Sequence, residues 1–141
     1  MDRTLLLVDD EENITASLVR LLRQDGYRVL TANSGKLALK ILENNDVGVV
    51  LTDQRMPEMT GAELLAVVKE RYPDTVRLVL SGHADLESVK GAINQGAIYK
   101  YLTKPWEDEM LRANVHEAFM HYELIQERAR LSHEISVANQ K

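Results

Sequence analysis

Residues 47–57 read VGVVLTDQRMP. Val47, Val49, Val50 and Leu51 form a short, β-branched apolar run without period-2 alternation. A strand covered on both faces of a parallel sheet has this pattern, because neither face needs polar side chains. The run stops at Thr52 and Asp53, and polar residues and Pro57 follow at once. Open parallel sheets keep their reactive groups beyond the carboxyl ends of their strands. Asp53 is therefore the expected chemical centre.

The flanking sequence repeats the theme. Thr4 to Val8 (TLLLV) is another continuous apolar run, and it ends in Asp9 and Asp10. Ile14, Leu18, Leu21 and Leu22 then recur at helical spacing up to Gly26, with Asp10 the expected N-cap. Tyr27 to Thr31 reads as a strand, and Ser34 as the cap of a helix carrying Leu37, Ala38, Ile41 and Leu42. After the central run, Pro57 and Gly61 bracket a loop. Thr60 caps a helix with Leu64, Leu65, Val67 and Val68 that Pro73 closes. Val76 to Leu80 is a fourth strand ending in Ser81-Gly82, and Asp85 is the expected cap of the next helix. Ile98 to Leu102 is a fifth strand, followed by Thr103-Lys104-Pro105 and a helical pattern from Trp106 onward. Five βα repeats predict an α/β fold: a five-stranded parallel sheet in the flavodoxin-like order 2-1-3-4-5, helices on both faces and the last helix extended.

Composition narrows the partners. The chain has 141 residues, 45% of them hydrophobic, which suits one domain with a substantial core. No apolar stretch is long enough to cross a bilayer, and MDRTLLLVDD lacks a signal-peptide layout, so no membrane association and a cytoplasmic location are expected. Cysteine is absent, which removes disulfides and thiolate metal sites. The net charge is −5 without a basic run, which argues against nucleic-acid binding by this segment.

The predicted sheet brings Asp9, Asp10, Asp53, Ser81 and Lys104 to one edge. Three converging carboxylates form a hard oxygen site of the kind that takes Mg²⁺. With their repulsion neutralised, Asp53 stays ionised and can attack phosphorus, giving an aspartyl phosphate. The metal, Lys104 and the Ser81 hydroxyl would share the phosphoryl oxygens, and phosphoryl transfer needs mostly such positioning and charge neutralisation. Each residue alone has a plainer reading: helix caps for Asp9 and Asp10, a turn for Asp53 and Ser81, a solvated lysine for Lys104. Their joint placement favours the chemical one.

The motifs LLLVDDEE, VLTDQRMPEMTG, VLSGHAD and YKYLTKPW resemble the receiver domains of two-component response regulators, and cover most of residues 3 to about 120. The resemblance implies that Asp53 accepts a phosphoryl group from a histidine kinase. It implies that Asp10, Asp53 and the Arg55 backbone carbonyl hold Mg²⁺, with Asp9 acting through water. Lys104 would contact the phosphoryl group, with a cis bond to Pro105. Ser81, where threonine is commoner, would be the switch hydroxyl. Tyr101 would be the switch aromatic that turns inward, and Tyr99 is its competitor. Arg55 and His83 fall at positions that tune dephosphorylation in the family. Activation would reshape the surface of helix four, strand five and helix five.

The last helix outruns a receiver. Leu111, Val115, Ala118, Tyr122 and Ile125 step as a sheet-packed helix does, and the stripe then shifts to Leu131, Ile135 and Ala138. Residues 1–121 are read as the receiver, and 122–141 as a linker or coiled coil toward an output domain, with a homodimer through this helix as a hypothesis. With no DNA-binding domain before Lys141, the chain is expected to be a stand-alone regulator or part of a larger protein. IYKYLTKPWEDEMLRANVHEAF also resembles receivers joined to cyclic-di-GMP phosphodiesterase domains of the HD-GYP or EAL type.

Three alternatives compete. A haloacid-dehalogenase-like phosphatase wants an acid two residues after its nucleophile, where this chain has Arg55. A flavodoxin-like FMN binder wants an uncharged phosphate loop where this chain has DDEEN. A degenerate receiver serving only as a binding or dimerisation module need not keep Asp9, Asp10, Asp53, Ser81 and Lys104 together.

Overall fold

The structure is a computed structural model that describes residues 3–139, apart from the side chains of His83 and of residues 135–139. Strands β1 (Thr4–Val8), β2 (Arg28–Ala32), β3 (Val49–Asp53), β4 (Val76–Ser81) and β5 (Lys100–Thr103) alternate with helices α1 (Glu12–Leu22), α2 (Gly35–Asn44), α3 (Gly61–Arg71), α4 (Leu86–Asn94) and α5 (Asp108–Asn139). The strands form one parallel sheet in the order β2-β1-β3-β4-β5, as the repeat pattern predicts.

The continuous apolar strands are explained by what covers them. Leu5, Leu7, Val49, Leu51, Leu78 and Leu80 face one side, where Leu18 and Leu22 of α1 and Leu111, Val115, Ala118 and Phe119 of α5 pack on them. Leu6, Val8, Val50 and Val79 face the other side, against Ala38 and Leu42 of α2, Leu64, Leu65 and Val68 of α3, and Val89 of α4. Successive strand residues thus enter opposite cores, and each fully buried leucine or valine contributes roughly 1.5–3 kcal/mol.

Strand and helix ends depart from expectation in informative ways. β2 begins at Arg28, one residue later than its run, and Tyr27 just before it stacks its ring on Phe119 at 4.8 Å. β5 begins at Lys100, two residues later than its apolar run. Asp10 is not the cap of α1: Glu11 holds that position without a side-chain bond, and the carboxylate that bonds this turn is Asp9, accepting from the Glu11 N–H at 2.9 Å. Ser34 and Thr60 do cap α2 and α3, Thr60 in a full capping box with Glu63. Asp85 occupies the cap position of α4 but makes no capping bond.

Gly61 opens α3 directly against the end of β3. A Cβ there would lie 2.3 Å from the Asp53 carbonyl oxygen. The glycine therefore sets the close approach of α3 to Asp53, a stronger requirement than bracketing a loop.

Candidate functional site

The strand register assembles the site. Val8 pairs with Thr52, so Asp9 follows β1 beside Asp53 at the end of β3. Asp53 pairs with Leu80, and Ser81 with Thr103, so Ser81 and Lys104 complete the row. Asp9, Asp10 and Asp53 each offer a carboxylate oxygen within 4.8 Å of the others. Asp9 and Asp53 are only 4% and 7% exposed, and Asp10 is exposed.

Two buried carboxylates side by side need a counter-charge. Lys104 provides one: its Nζ lies 2.9 Å from Asp53 Oδ1 and 3.5 Å from Asp9 Oδ2. Burial alone would lower the Lys104 pKa. The hydrogen bond and charge of Asp53, with Asp9 behind it, outweigh burial and raise it. Asp9 is also pushed up, by burial first and by the neighbouring Asp53 charge, against the lowering effect of its bond from Glu11. One lysine against three carboxylates leaves negative charge uncompensated. The donor set is all oxygen, partly buried and open at Asp10, which fits a hard divalent cation that keeps some of its waters.

The remaining predicted residues are nearby but arranged differently. Ser81 is 1% exposed, and its hydroxyl donates toward Asp85 Oδ2 and the Gly82 carbonyl, both at 3.4 Å. Asp85 Oδ1 accepts from Arg55 Nε at 2.6 Å, so the Arg55 side chain reaches toward α4. Tyr101 lies partly buried, with its hydroxyl donating to the Gly82 carbonyl at 3.0 Å and toward that of Ser81 at 3.3 Å. Tyr99 instead stacks on His121 at the surface. The Lys104–Pro105 bond is cis, as the resemblance implies. The side chain of His83 lies outside the described residues.

Sequence reading missed two contributors. Gln54 is buried, and its side-chain oxygen accepts from the Ala62 N–H at 2.8 Å, tying the residue after Asp53 to the start of α3. Asp85 reads as a helix cap, and only the folded chain shows its carboxylate between Arg55 and Ser81.

Residues 5–116 match the family described as the response regulator receiver domain. The chain belongs to this family. It is 40% identical over 124 residues to the hydrogenase transcriptional regulatory protein HoxA of Bradyrhizobium diazoefficiens, covering 88% of this chain and 25% of that protein. Among solved structures, an uncharacterized protein from Neptuniibacter caesariensis is 41% identical with a TM-score of 0.86, over 89% of this chain and 93% of that one. The signal receiver domain of an HD domain-containing protein from Pseudomonas fluorescens Pf-5 is 37% identical with a TM-score of 0.86, over 90% and 93%. The chain spans about a quarter of the length of the curated relatives it matches. As a receiver it is a response-regulator signalling module, and its acidic cluster is consistent with a Mg²⁺ site.

Proposed function

We propose that this receiver is a phosphorylation-dependent switch whose phosphoacceptor is Asp53, with a histidine kinase or phosphotransfer protein as donor. One observation carries the reading: Asp53 ends its strand between Lys104, at 2.9 Å, and the carboxylates of Asp9 and Asp10. Asp10, Asp53 and the Arg55 carbonyl would hold Mg²⁺, with Asp9 reached through water. Bound there, Mg²⁺ would neutralise the carboxylates and draw charge from the phosphoryl oxygens.

In the transfer, an Asp53 oxygen attacks phosphorus and a P–O bond forms. The P–N bond to the donor histidine breaks, and its electron pair returns to the imidazole. Lys104 then shifts from the Asp53 carboxylate to a phosphoryl oxygen, and the Ser81 hydroxyl turns from Asp85 to another. The partly buried Tyr101, bonded to carbonyls of the same β4–α4 connection, reports that movement to the surface of α4, β5 and α5. A ligand shifts such an equilibrium only by its differential affinity for the two arrangements, and the new contacts of Lys104 and Ser81 supply it.

We read residues 122–141 as a helical extension toward an output domain, joined or separate, and as a dimerisation element. Relatives of which this chain covers about a quarter, and which are named transcriptional regulatory proteins, suit a joined output. The neighbour from an HD domain-containing protein suits the cyclic-di-GMP alternative. Among the described residues no helix is long and apolar enough to cross a membrane.

Intact mass after incubation with acetyl phosphate and Mg²⁺ tests the central step. The expected result is a gain of about 80 Da, one phosphoryl group, in the wild type and none in Asp53→Ala. A gain in both would assign the nucleophile elsewhere, and a gain in neither would leave a binding module.

A further inference from the structure

We propose that Asp85 is a positioning residue that sets the resting place of the Ser81 hydroxyl and ties the start of α4 to the loop after Asp53. The proposal rests on Asp53 being the phosphoacceptor. An aspartate at a helix N-cap normally accepts from N–H groups of the first turn. Asp85 stands at that position in α4 and accepts none. Its carboxylate is spent on tertiary partners: Arg55 Nε at 2.6 Å on one oxygen, and the Ser81 hydroxyl at 3.4 Å on the other. The side chain is 14% exposed, whereas that of Arg55 is 73% exposed.

The two contacts differ in strength, and the difference suggests their roles. The Arg55 bond is short and charge-assisted, so it fixes the carboxylate. The Ser81 bond is long and therefore weak, so it biases the hydroxyl without locking it. In this arrangement the single Ser81 hydroxyl proton is directed toward Asp85 or the Gly82 carbonyl, neither of which belongs to the acidic cluster. A hydroxyl held there is withdrawn from a phosphoryl group arriving on Asp53. An affinity or rate that needs a minor arrangement is reduced by the fraction of molecules in it. Asp85 thus lowers the responsiveness of the switch, and acts through Ser81.

The test is the initial rate of phosphoryl uptake from acetyl phosphate with Mg²⁺, followed by intact mass, in a double-mutant cycle. Relative to wild type, Asp85→Ala is expected to raise the rate about three-fold, the low end of the scale for one hydrogen bond, as the length of the Ser81 contact requires. In a Ser81→Ala background the same substitution is expected to change it less than two-fold. Asp85→Asn keeps an oxygen for Ser81 and is expected to fall near wild type. Should Asp85→Ala fail to fold, Asp85→Gly, well tolerated at an N-cap, takes its place. An unchanged or lowered rate in Asp85→Ala, an equal effect with and without Ser81, or an Asp85→Asn effect matching Asp85→Ala would overturn the proposal. A wild type that gains no mass would overturn the phosphoacceptor reading and this proposal with it, whereas the cycle can fail while wild-type uptake stands.

Discussion

At the scale of the residue, Asp9 shows how a charged site opposes the fold that holds it. Its carboxylate is buried beside Asp53, with Lys104 3.5 Å away, and its pKa is raised. For an acid, a raised folded-state pKa means that the folded chain resists ionisation. The associated stability is present at low pH and is lost as pH rises through the folded pKa. Asp9→Asn removes the charge and keeps an oxygen to accept from Glu11. In metal-free buffer at neutral pH, this variant is expected to raise the melting temperature by about 3 °C, and the gain should vanish in acid, where the wild-type carboxyl is already protonated. Adding Mg²⁺ should stabilise the wild type more than the variant. Calorimetry across pH, with and without Mg²⁺, checks both. A variant melting no higher than wild type would mean that Lys104 already neutralises the site. The same scale marks what could be read in advance. Asp9, Asp53 and Lys104 were legible because strand ends place them together whatever their rotamers. The direction of the Ser81 hydroxyl was not, because it depends on how the β4–α4 connection folds back on itself, and the arginine partner of Asp85 was not, because it depends on a contact between separate loops.

At the scale of the element, the sheet was readable and several terminations were not. Apolar runs without alternation located β1 and β3, since double-sided burial leaves that mark, while the edge strands β2 and β5, only partly buried, were placed by the βα repeat. The capping residues Ser34 and Thr60 were also readable, because their partners lie three residues on. Asp10 and Asp85 broke the rule, since the turn at α1 uses Asp9 and the Asp85 carboxylate has longer-range partners. Arg77, within β4, is a further case. Its guanidinium donates to the carbonyls of Ala97, Pro73, Thr75 and Gly96, at 2.8, 3.1, 2.9 and 3.2 Å. All four acceptors lie in the α3–β4 and α4–β5 connections, so no local pattern announces them. Burial lowers the Arg77 pKa, but the carbonyls satisfy its donors. Arg77→Leu would leave those carbonyls short of a donor and loosen the approach to β5. The expected loss is about 2–3 kcal/mol of unfolding free energy, read from the urea midpoint. A midpoint within error of wild type would show that water replaces the guanidinium without cost.

At the scale of the molecule, the question is where α5 leads once it leaves the sheet. Its first part is anchored on the body: Arg112 pairs with Asp25 at 2.7 Å, Arg3 grips Glu123 with two hydrogen bonds, and Gly48 leaves room for Phe119 and Tyr122. Beyond Gln126, which reaches Asp74, the described ion pairs are within the helix itself, from Arg130 to Glu127 and Glu134. Such pairs support an exposed helix by only a few tenths of a kcal/mol each. Met120 and Leu124 shortly before that point and Leu131 beyond it are exposed, and the last two are one heptad apart. The side chains of Ile135 and Ala138, expected to continue the stripe, lie outside the described residues. A single helix does not hide a stripe of this kind, whereas a second copy in parallel register would. Because α5 is clamped to the body up to Gln126, a change on its α4–β5 side would be carried along the helix to that seam. Wild-type protein is therefore expected to sediment as a monomer–dimer mixture whose balance shifts with a phosphoryl mimic and Mg²⁺. Leu124→Glu combined with Leu131→Glu should give a monomer in both conditions while keeping phosphoryl uptake on Asp53. A wild type that stays monomeric at high concentration, with and without the mimic, would leave the extension as a linker and remove dimerisation from the mechanism.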